Sequence, residues 1–444
     1  MVQVLLSFDT EDYTSPLSDD AIYQLAMILA GQGVRGCFNF VGELAKTLRE
    51  RGRTDIFEAM KAHEIDYHSY RHTWHPTMVE YTDSEDWEAG YKRFLQEESE
   101  GAQWVKDIFG VDRLWAFVPP GNCIAPQAIY GTPELDMPIY SGSLFKETGG
   151  AGIWYCNALN LENNFYIDHV LLTEGLEGVK SRIEEWSEWQ RVIICCHPNI
   201  IPFTEYWDAV NLKGNNLVEW GAWKHPPVRP PEDVERFYAD FAAAIRLIKE
   251  DGRFEFVTYE QLWKSIPNAQ RSIPLQKLKA LLAKAAERFF YQVDEEGSYS
   301  LADLFLASAH YLSGRNGTYF AGKAMGPMRE PAGIEVPTVV TAKAVRAAAA
   351  GLANLSEVPD RISIPDPERP DLFIGPADFI AAAAGVLDGK ASVTLVPARQ
   401  MPDTSGFYRF DDFQLANTWM YPENFKDRWV TRRLKWQAWT IRPE

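Results

Sequence analysis

The chain is short of cysteine and of positive charge, and both shortages narrow what it can do. Only five cysteines occur in 444 residues: Cys37, Cys123, Cys156, Cys195 and Cys196. The number is odd and no Cys-x-x-Cys spacing is present. Neither a disulfide framework nor a structural zinc site is therefore expected. Lys and Arg number 44 against 62 Asp and Glu, a formal net charge of −18. A surface of that sign repels phosphate backbones and anionic lipid, which argues against nucleic acid and membrane surfaces as partners. Neutral sugars are compatible with it. No apolar run is long enough to span a bilayer, so no membrane insertion is expected. The opening residues Val2-Gln3-Val4-Leu5-Leu6-Ser7-Phe8-Asp9 have no basic region before them and run into acids. They read as a first strand rather than a signal peptide, and the expected location is cytoplasmic.

Apolar residues, by contrast, are plentiful. They make up 46% of the chain, enough for sizeable cores, and the length exceeds one ordinary core. Two domains are the starting expectation. Fifteen Trp and nineteen Tyr would suit sugar faces, although core packing is the commoner use of such residues.

Strand and helix signals alternate along the first part. Val2, Val4, Leu6 and Phe8 alternate with Gln3, Leu5 and Ser7. A helix follows, with Ser18 as its expected N-cap and Ile22, Leu25, Ala26 and Leu29 on one face. Further strands are expected at Gly36 to Val41, Glu64 to Tyr67, Leu114 to Val118, Pro138 to Tyr140, Val192 to Cys196 and Phe254 to Val257. Helical patterns run from Ser84 to Phe109 and from Pro231 to Glu250. Repeated βα units favour a parallel sheet or barrel over residues 1–265. The stretch Ile266 to Pro274 reads as a linker. Residues 275–444 form an Ala-rich second domain, expected to be smaller and mostly helical or α+β. Within it Ala302-Asp303-Leu304-Phe305 and Ala377-Asp378-Phe379-Ile380 open two stretches of equal length, ending in Leu312-Ser313-Gly314 and Leu387-Asp388-Gly389. Chance matching of Ala-rich helices and true duplication both fit.

Four polar groupings follow strand signals directly: Asp9-Thr10-Glu11-Asp12, His68-Ser69-Tyr70-Arg71-His72, Pro119-Pro120-Gly121-Asn122 and His197-Pro198-Asn199. In βα barrels such positions converge on one mouth. His68 and His72, spaced i and i+4, would face the same way on a helical turn, as two ligands of one metal must. A chance surface pair is the plainer alternative. His63 and His75 flank them as supporting or surface residues. Alternate residues of an extended chain share a face, so Asp9 and Glu11 can both point into the mouth. A capping or solvated acidic loop is the other reading. His197 is either a hydrogen-bonded core histidine or a general acid. The turn at Pro120 and Gly121 is either structural or presents N–H groups to an oxyanion. Cys195 and Cys196 read as packing residues.

Together these segments resemble the polysaccharide deacetylase family, also known as the NodB-homology fold or carbohydrate esterase family 4. Leu6 to Tyr13 is similar to its opening acidic motif. His68 to His72, preceded by Glu64-Ile65, fits its H-[ST]-x-x-x-H motif. Gly36 to Gly42 is similar to its second strand, and Val192 to Pro198 to its last motif, an apolar strand ending in His-Pro. The resemblance covers roughly residues 1–265. It implies a distorted (β/α) barrel and a metal-dependent hydrolase that removes N-acetyl groups from a carbohydrate. It further implies one divalent metal ion, zinc, bound by His68, His72 and Glu11, with Asp12 as the alternative carboxylate. Asp9 would be the base, His197 the acid, and Pro120-Gly121 the oxyanion-binding turn. One motif departs from the family. An Arg that orients the catalytic Asp is replaced here by Val118, in Phe117-Val118-Pro119-Pro120. Either Arg35 or Arg71 takes its place in space, or the base is tuned differently, or the chemistry is weakened. A catalytically silent carbohydrate-binding barrel and a cyclic-amide hydrolase on the same fold are the competing expectations.

Overall fold

The structure is a computed structural model, and it describes all residues except 147, 214–217, 267–270 and 410–424. The chain divides into two compact units. The first comprises Met1–Gly152, Ala158–Ile266 and Gly406–Thr431; the second comprises Ile153–Asn157, Pro267–Ser405 and Arg432–Glu444. A single cut near Ser265 therefore does not separate them. Of the expected linker, 267–270 lie outside the described residues. Ser272 and Ile273 form a strand against Tyr319 and Phe320, with Ile273 fully buried in the second unit.

The first unit is built on a parallel sheet. Its strands are β1 (Val2–Thr10), β2 (Cys37–Phe40), β3 (Glu64–Tyr67), β4 (Ala116–Phe117), β5 (Ile139–Gly142), β6 (Ala158–Glu162), β7 (Phe165–Tyr166), β8 (Arg191–Cys196) and β9 (Phe254–Phe256). They lie in the order β6-β5-β4-β3-β2-β1-β8-β7, with β9 also beside β1. Every neighbouring pair is parallel. The expected α/β arrangement of a distorted (β/α) barrel is present. The sequence pattern missed β6 and β7.

Pleating sorts the side chains of β1 onto two faces. Phe8 turns outward, stacking on Phe38 at 4.5 Å and meeting Phe241 of the helix Pro231–Glu250 edge-on. Ser7 and Asp9 turn the other way, where Asn39 Nδ2 donates to both, at 2.8 and 2.9 Å. The inner face is thus polar and hydrogen-bonded, while the outer face supplies the apolar burial under the helices. The first helix runs from Pro16 to Gly31 and is capped by Ser15, not by Ser18. Ser18 instead donates to Asp12 Oδ2. Pro16 at the first helical position fixes the start three residues earlier than the apolar pattern indicated.

The second unit is α+β, and its elements occur twice in one order. A strand (Ser272–Ile273), a helix (Leu275–Glu287), a hairpin (Gln292–Asp294 with Gly297–Tyr299), a helix (Leu301–Leu312) and a strand (Tyr319–Phe320) form the first copy. Thr338–Thr341, Ala342–Leu352, Ile362–Ser363 with Phe373–Ile374, Pro376–Leu387 and Ser392–Leu395 form the second. In each copy the first and last strands pair antiparallel. The repeated Ala-Asp signal has a physical basis. Asp303 and Asp378 each stand at the third position of a helix and accept from the backbone N–H of the capping residue, Ser300 and Gly375, both at 2.9 Å. The same order of elements and the same capping contact recur in both copies.

The first unit includes chain that comes after the second. Phe145 stacks on the buried Tyr408 at 5.5 Å, and Asp83 Oδ1 accepts from the N–H groups of Arg428, Trp429 and Val430. A chain ended at Ile266 loses both attachments. Its unfolding free energy in urea should fall below that of the first unit in the full chain, by at least about 2 kcal/mol for the lost Tyr408 burial alone, and its urea midpoint should fall with it. Equal midpoints would mean that residues 406–431 contribute nothing to this unit.

Candidate active site

Parallel strands put all their C-terminal ends on one side, and there the four polar groupings meet. They line one cleft of about 500 Å³, bordered by Asp9, Glu11, His68, His72, Gly121 and His197. Glu11 is buried directly between the two histidines. Its Oε2 lies 2.9 Å from His72 Nε2 and 3.6 Å from His68 Nε2. Asp12, adjacent in sequence, points elsewhere and is fully engaged by Thr14 and Ser18.

The two histidines do not sit on a helical turn. They lie on a tight loop in which Ser69 and His72 both adopt left-handed backbone conformations, φ 70° and 54°. Such conformations are unfavourable for side chains other than glycine and persist only when the surroundings enforce them. Here the enforcement is visible. Ser69 Oγ accepts from His72 N–H at 3.0 Å, and the buried Glu98 accepts from Tyr70 N–H and Tyr67 O–H. The N–H groups of Gly42 and Glu43 bond the carbonyls of Ser69 and Tyr70. Gly101 permits this approach, because a Cβ there would run into Tyr67 Oη and Tyr70 Cβ.

Each imidazole is oriented by its far nitrogen. His68 Nδ1 lies 2.8 Å from the Val118 carbonyl, which requires a proton on that nitrogen and turns Nε2 into the cleft; burial would lower the pKa of this ring, but Asp9 and Glu11 outweigh it and hold it above the ordinary value. His72 Nδ1 lies 3.1 Å from Thr73 Oγ1 and 3.4 Å from Asp208 Oδ2, while Thr73 donates to the same carboxylate. Burial holds His72 below its ordinary pKa despite Glu11, favouring the neutral ring. Burial would raise Glu11, but His72 and His68 outweigh it and hold the carboxyl ionised. Glu11 Oε1, His68 Nε2 and His72 Nε2 are buried and have no hydrogen-bond partner. Ligand atoms of these three residues lie within 4.8 Å of one another. Two imidazoles, a carboxylate and orphaned lone pairs match the donor set of a divalent cation with an open position.

Beside this triad stands a second pair. His197 Nδ1 and its own N–H both bond Asp168 Oδ2, at 2.7 and 2.8 Å. Its Nε2 is 3.7 Å from Asp9 Oδ2. Burial would lower the pKa of His197, but the buried Asp168 carboxylate more than offsets this and pushes it up to about 10. Asp9 is held by Asn39 on one oxygen and by the Cys195 thiol, at 3.5 Å, on the other. Neither Arg35 nor Arg71 replaces the family's arginine: Arg35 is exposed, and Arg71 pairs with Glu43 and lies over Tyr70. Gly121 borders the cleft with φ 49° in the short turn Pro120–Asn122. Pro120 lines an adjoining hollow. His63 is a core residue, bonding Gly36 N–H and the Ala26 carbonyl, and His75 pairs with Glu80.

The sequence pattern missed Asp168, Asp208, Asn39 and Tyr206. Asp168 follows Phe165-Tyr166 as His68 follows Glu64–Tyr67, so the same rule would have flagged it had β7 been recognised. Asp208 and Tyr206 carried no local signal.

No family model matches the chain, and no curated protein matches it significantly. Solved structures similar to it include three from the esterase family. The Xyl-CE4 domain of a multidomain xylanase from the hindgut metagenome of Trinervitermes trinervoides is 15% identical, covering 60% of this chain and 94% of that one, with a TM-score of 0.34. A family 4 acetyl xylan esterase from Clostridium thermocellum, solved with a cobalt ion, is 16% identical over 60% of this chain and 93% of its own, TM-score 0.34. A family 4 pseudoenzyme from Bacillus anthracis is 13% identical over 59% and 65%, TM-score 0.35.

The Asp168 contact sets the charge of His197 and gives a direct test. Imidazole NMR should show His197 protonated through neutral pH and titrating near 10, and Asp168→Asn should bring it down towards the ordinary value of 6.5. The sign for stability follows. A folded-state pKa above the unfolded one contributes stability below pH 6.5, and that contribution is lost as the pH rises through about 10. An unchanged titration in the variant would break the link between the two residues.

Proposed function

We propose that the first unit is a metal-dependent hydrolase that removes an N-acetyl group from a carbohydrate. The observation that carries this is the convergence of three buried, unpartnered donor atoms, on Glu11, His68 and His72, beside an Asp–His pair. A divalent cation held by those three residues, zinc in this reading, would polarise the acetyl carbonyl and bring the pKa of a water towards ~7.

The chain's own groups divide the proton work. Asp9, its oxygens fixed by Asn39 and Cys195, takes the proton from the attacking water. His197, kept protonated by Asp168, delivers one from Nε2 to the departing nitrogen. Holding Nδ1–H on Asp168 also fixes the ring, so that Nε2 faces the cleft. The turn at Pro120 and Gly121 is the proposed donor to the developing oxyanion. Asp208 and Thr73 position His72.

The second reading is a silent carbohydrate-binding barrel. It draws on one observation: among the described residues, Asp9 has a neutral amide and a thiol where the family has a guanidinium. The two readings differ in what leaves the protein, acetate or nothing.

Replacing His68 and His72 together by Ala should abolish stoichiometric metal in the purified protein, measured by elemental analysis. Metal content equal to the parent's would dismiss this site. With metal retained, Asp9→Asn and His197→Ala should each lower acetate release from N-acetylated oligosaccharides by ~10²–10⁴-fold. If the metal-loaded parent releases no acetate from any N-acetyl sugar, the silent reading replaces the hydrolase.

A further inference from the structure

On the inner face of the sheet, below the strand ends, lies a second group of donor atoms that the proposed reaction does not use. Cys37 and Asn39 alternate on β2, and Glu64 and Asp66 alternate on β3, so each pair faces the same way. The register sets Cys37 beside Glu64 and Asn39 beside Asp66. Together they form a two-by-two grid of buried side chains. Cys37 Sγ lies 3.6 Å from Glu64 Oε1, and ligand atoms of Cys37, Glu64 and Asp66 lie within 4.8 Å of one another.

The backbone satisfies only part of this group. Both oxygens of Glu64 accept from Glu260 N–H, at 3.1 and 3.2 Å. Asp66 Oδ1 accepts from Trp115 and Ala116 N–H, at 2.7 and 2.9 Å. No donor reaches Asp66 Oδ2 or Asn39 Oδ1, and both side chains are fully buried. The direction of the Asn39 oxygen follows from its nitrogen. Nδ2 is fixed on Ser7 and Asp9 of β1, so Oδ1 turns to the other neighbour, β3, where Asp66 stands. Buried oxygens without donors are costly. Two buried carboxyl groups also need a compensating positive charge, and no Lys or Arg supplies it among the described residues. One proton held between Glu64 and Asp66 relieves their repulsion but leaves Asn39 Oδ1 without a donor.

We propose that Cys37, Asn39, Glu64 and Asp66 form a second divalent-cation site, of the zinc class, on the inner face of β2 and β3. One sulfur and three oxygens from four residues make a closed donor set, which fits a structural ion rather than one that takes substrate. The thiol selects a thiophilic ion over calcium or magnesium. Asn39 connects this ion to the cleft, because its amide carries Oδ1 on the ion side and Nδ2 on Asp9. No Cys-x-x-Cys spacing announces such a site, since its donors come from two strands. Binding displaces the thiol proton, so at neutral pH the site fills when metal is supplied in excess. The inference stands independently of the hydrolase reading.

The experiment uses the full-length chain with His68→Ala and His72→Ala, which lacks the cleft ligands. It is dialysed against excess cobalt(II), and bound metal is counted by elemental analysis. One cobalt per chain should bind, with the near-ultraviolet charge-transfer absorption of a thiolate–cobalt bond. Imidazole and carboxylate ligands do not produce that band. Cys37→Ser, added to this variant, should remove both the band and the ion. Asp66→Asn keeps the acceptor for Trp115 and Ala116 N–H and should also lose the ion. Cys195→Ser, which removes the thiol beside Asp9, should keep both. The parent chain, loaded in the same way, should bind one cobalt more than its own Cys37→Ser variant, which repeats the test without the histidine substitutions. Circular dichroism checks that each variant is folded. No thiolate band in the loaded parent, or a band that survives Cys37→Ser or vanishes with Cys195→Ser, overturns the site and leaves a shared proton in its place. Acetate release plays no part in these readings, so their failure and that of the hydrolase are separate results.

Discussion

The first unit depends on a local electrostatic constraint: a carboxylate, Glu11, buried between two imidazoles whose inward nitrogens have no hydrogen-bond partner. Buried lone pairs without partners are costly, and proteins retain them where a ligand satisfies them. The surrounding structure holds that arrangement in place. Val118, Thr73 and Asp208 take the outer nitrogens of the imidazoles. Two left-handed residues turn the loop tightly enough for both rings to point inward, and Glu98 with Gly101 keeps that loop against its helix. Strain and burial at this point are offset by the apolar packing on the outer face of the same strands, where Phe8, Phe38 and Phe241 meet.

Asp9 stands on the polar inner face of the sheet, where it borders the cleft. The motif that the sequence resembles carries an arginine beside the corresponding Asp. Here Asn39, one strand over, supplies a neutral donor, and His197 Nε2 stands 3.7 Å from the other carboxylate oxygen. Asp9 and His197 are therefore in contact with each other, with Asp168 holding His197 in its charged form.

The second unit obeys a different constraint, internal repetition. Two copies of one strand–helix–hairpin–helix–strand unit share a core, yet their interhelical contacts are not equivalent. A cavity of about 720 Å³ lies between the helices Leu275–Glu287 and Pro376–Leu387, bordered by Ala285, Ile380 and Ala381. At the corresponding positions of the other copy stand Leu352, Phe305 and Leu306, all buried in the common core. Larger side chains close one interface, and smaller ones leave its counterpart open.

The sequence by itself determined the parts of this protein that repeat at short range. Alternation in Val2 to Phe8 put Ser7 and Asp9 on one face, and the parallel order of βα units placed the polar ends of the strands together. The spacing of His68 and His72 marked them as a pair, and the recurring Ala-Asp marked the duplication. Tertiary structure alone decided the rest. Glu11 rather than Asp12 faces the histidines because Thr14 and Ser18 occupy Asp12. The histidines converge through a strained loop, not the helical turn their spacing indicated. Asn39 reaches Asp9 across 30 positions, Asp168 reaches His197 across 29, and Asp208 reaches Thr73 across 135. Gly406–Thr431 belong to the first unit although Pro267–Ser405 of the second unit precede them in the chain. Periodicity and turn chemistry act over a few residues, so they fix which way a side chain points. Which other side chain it meets is fixed by the order of strands in the sheet, and no local pattern encodes that order.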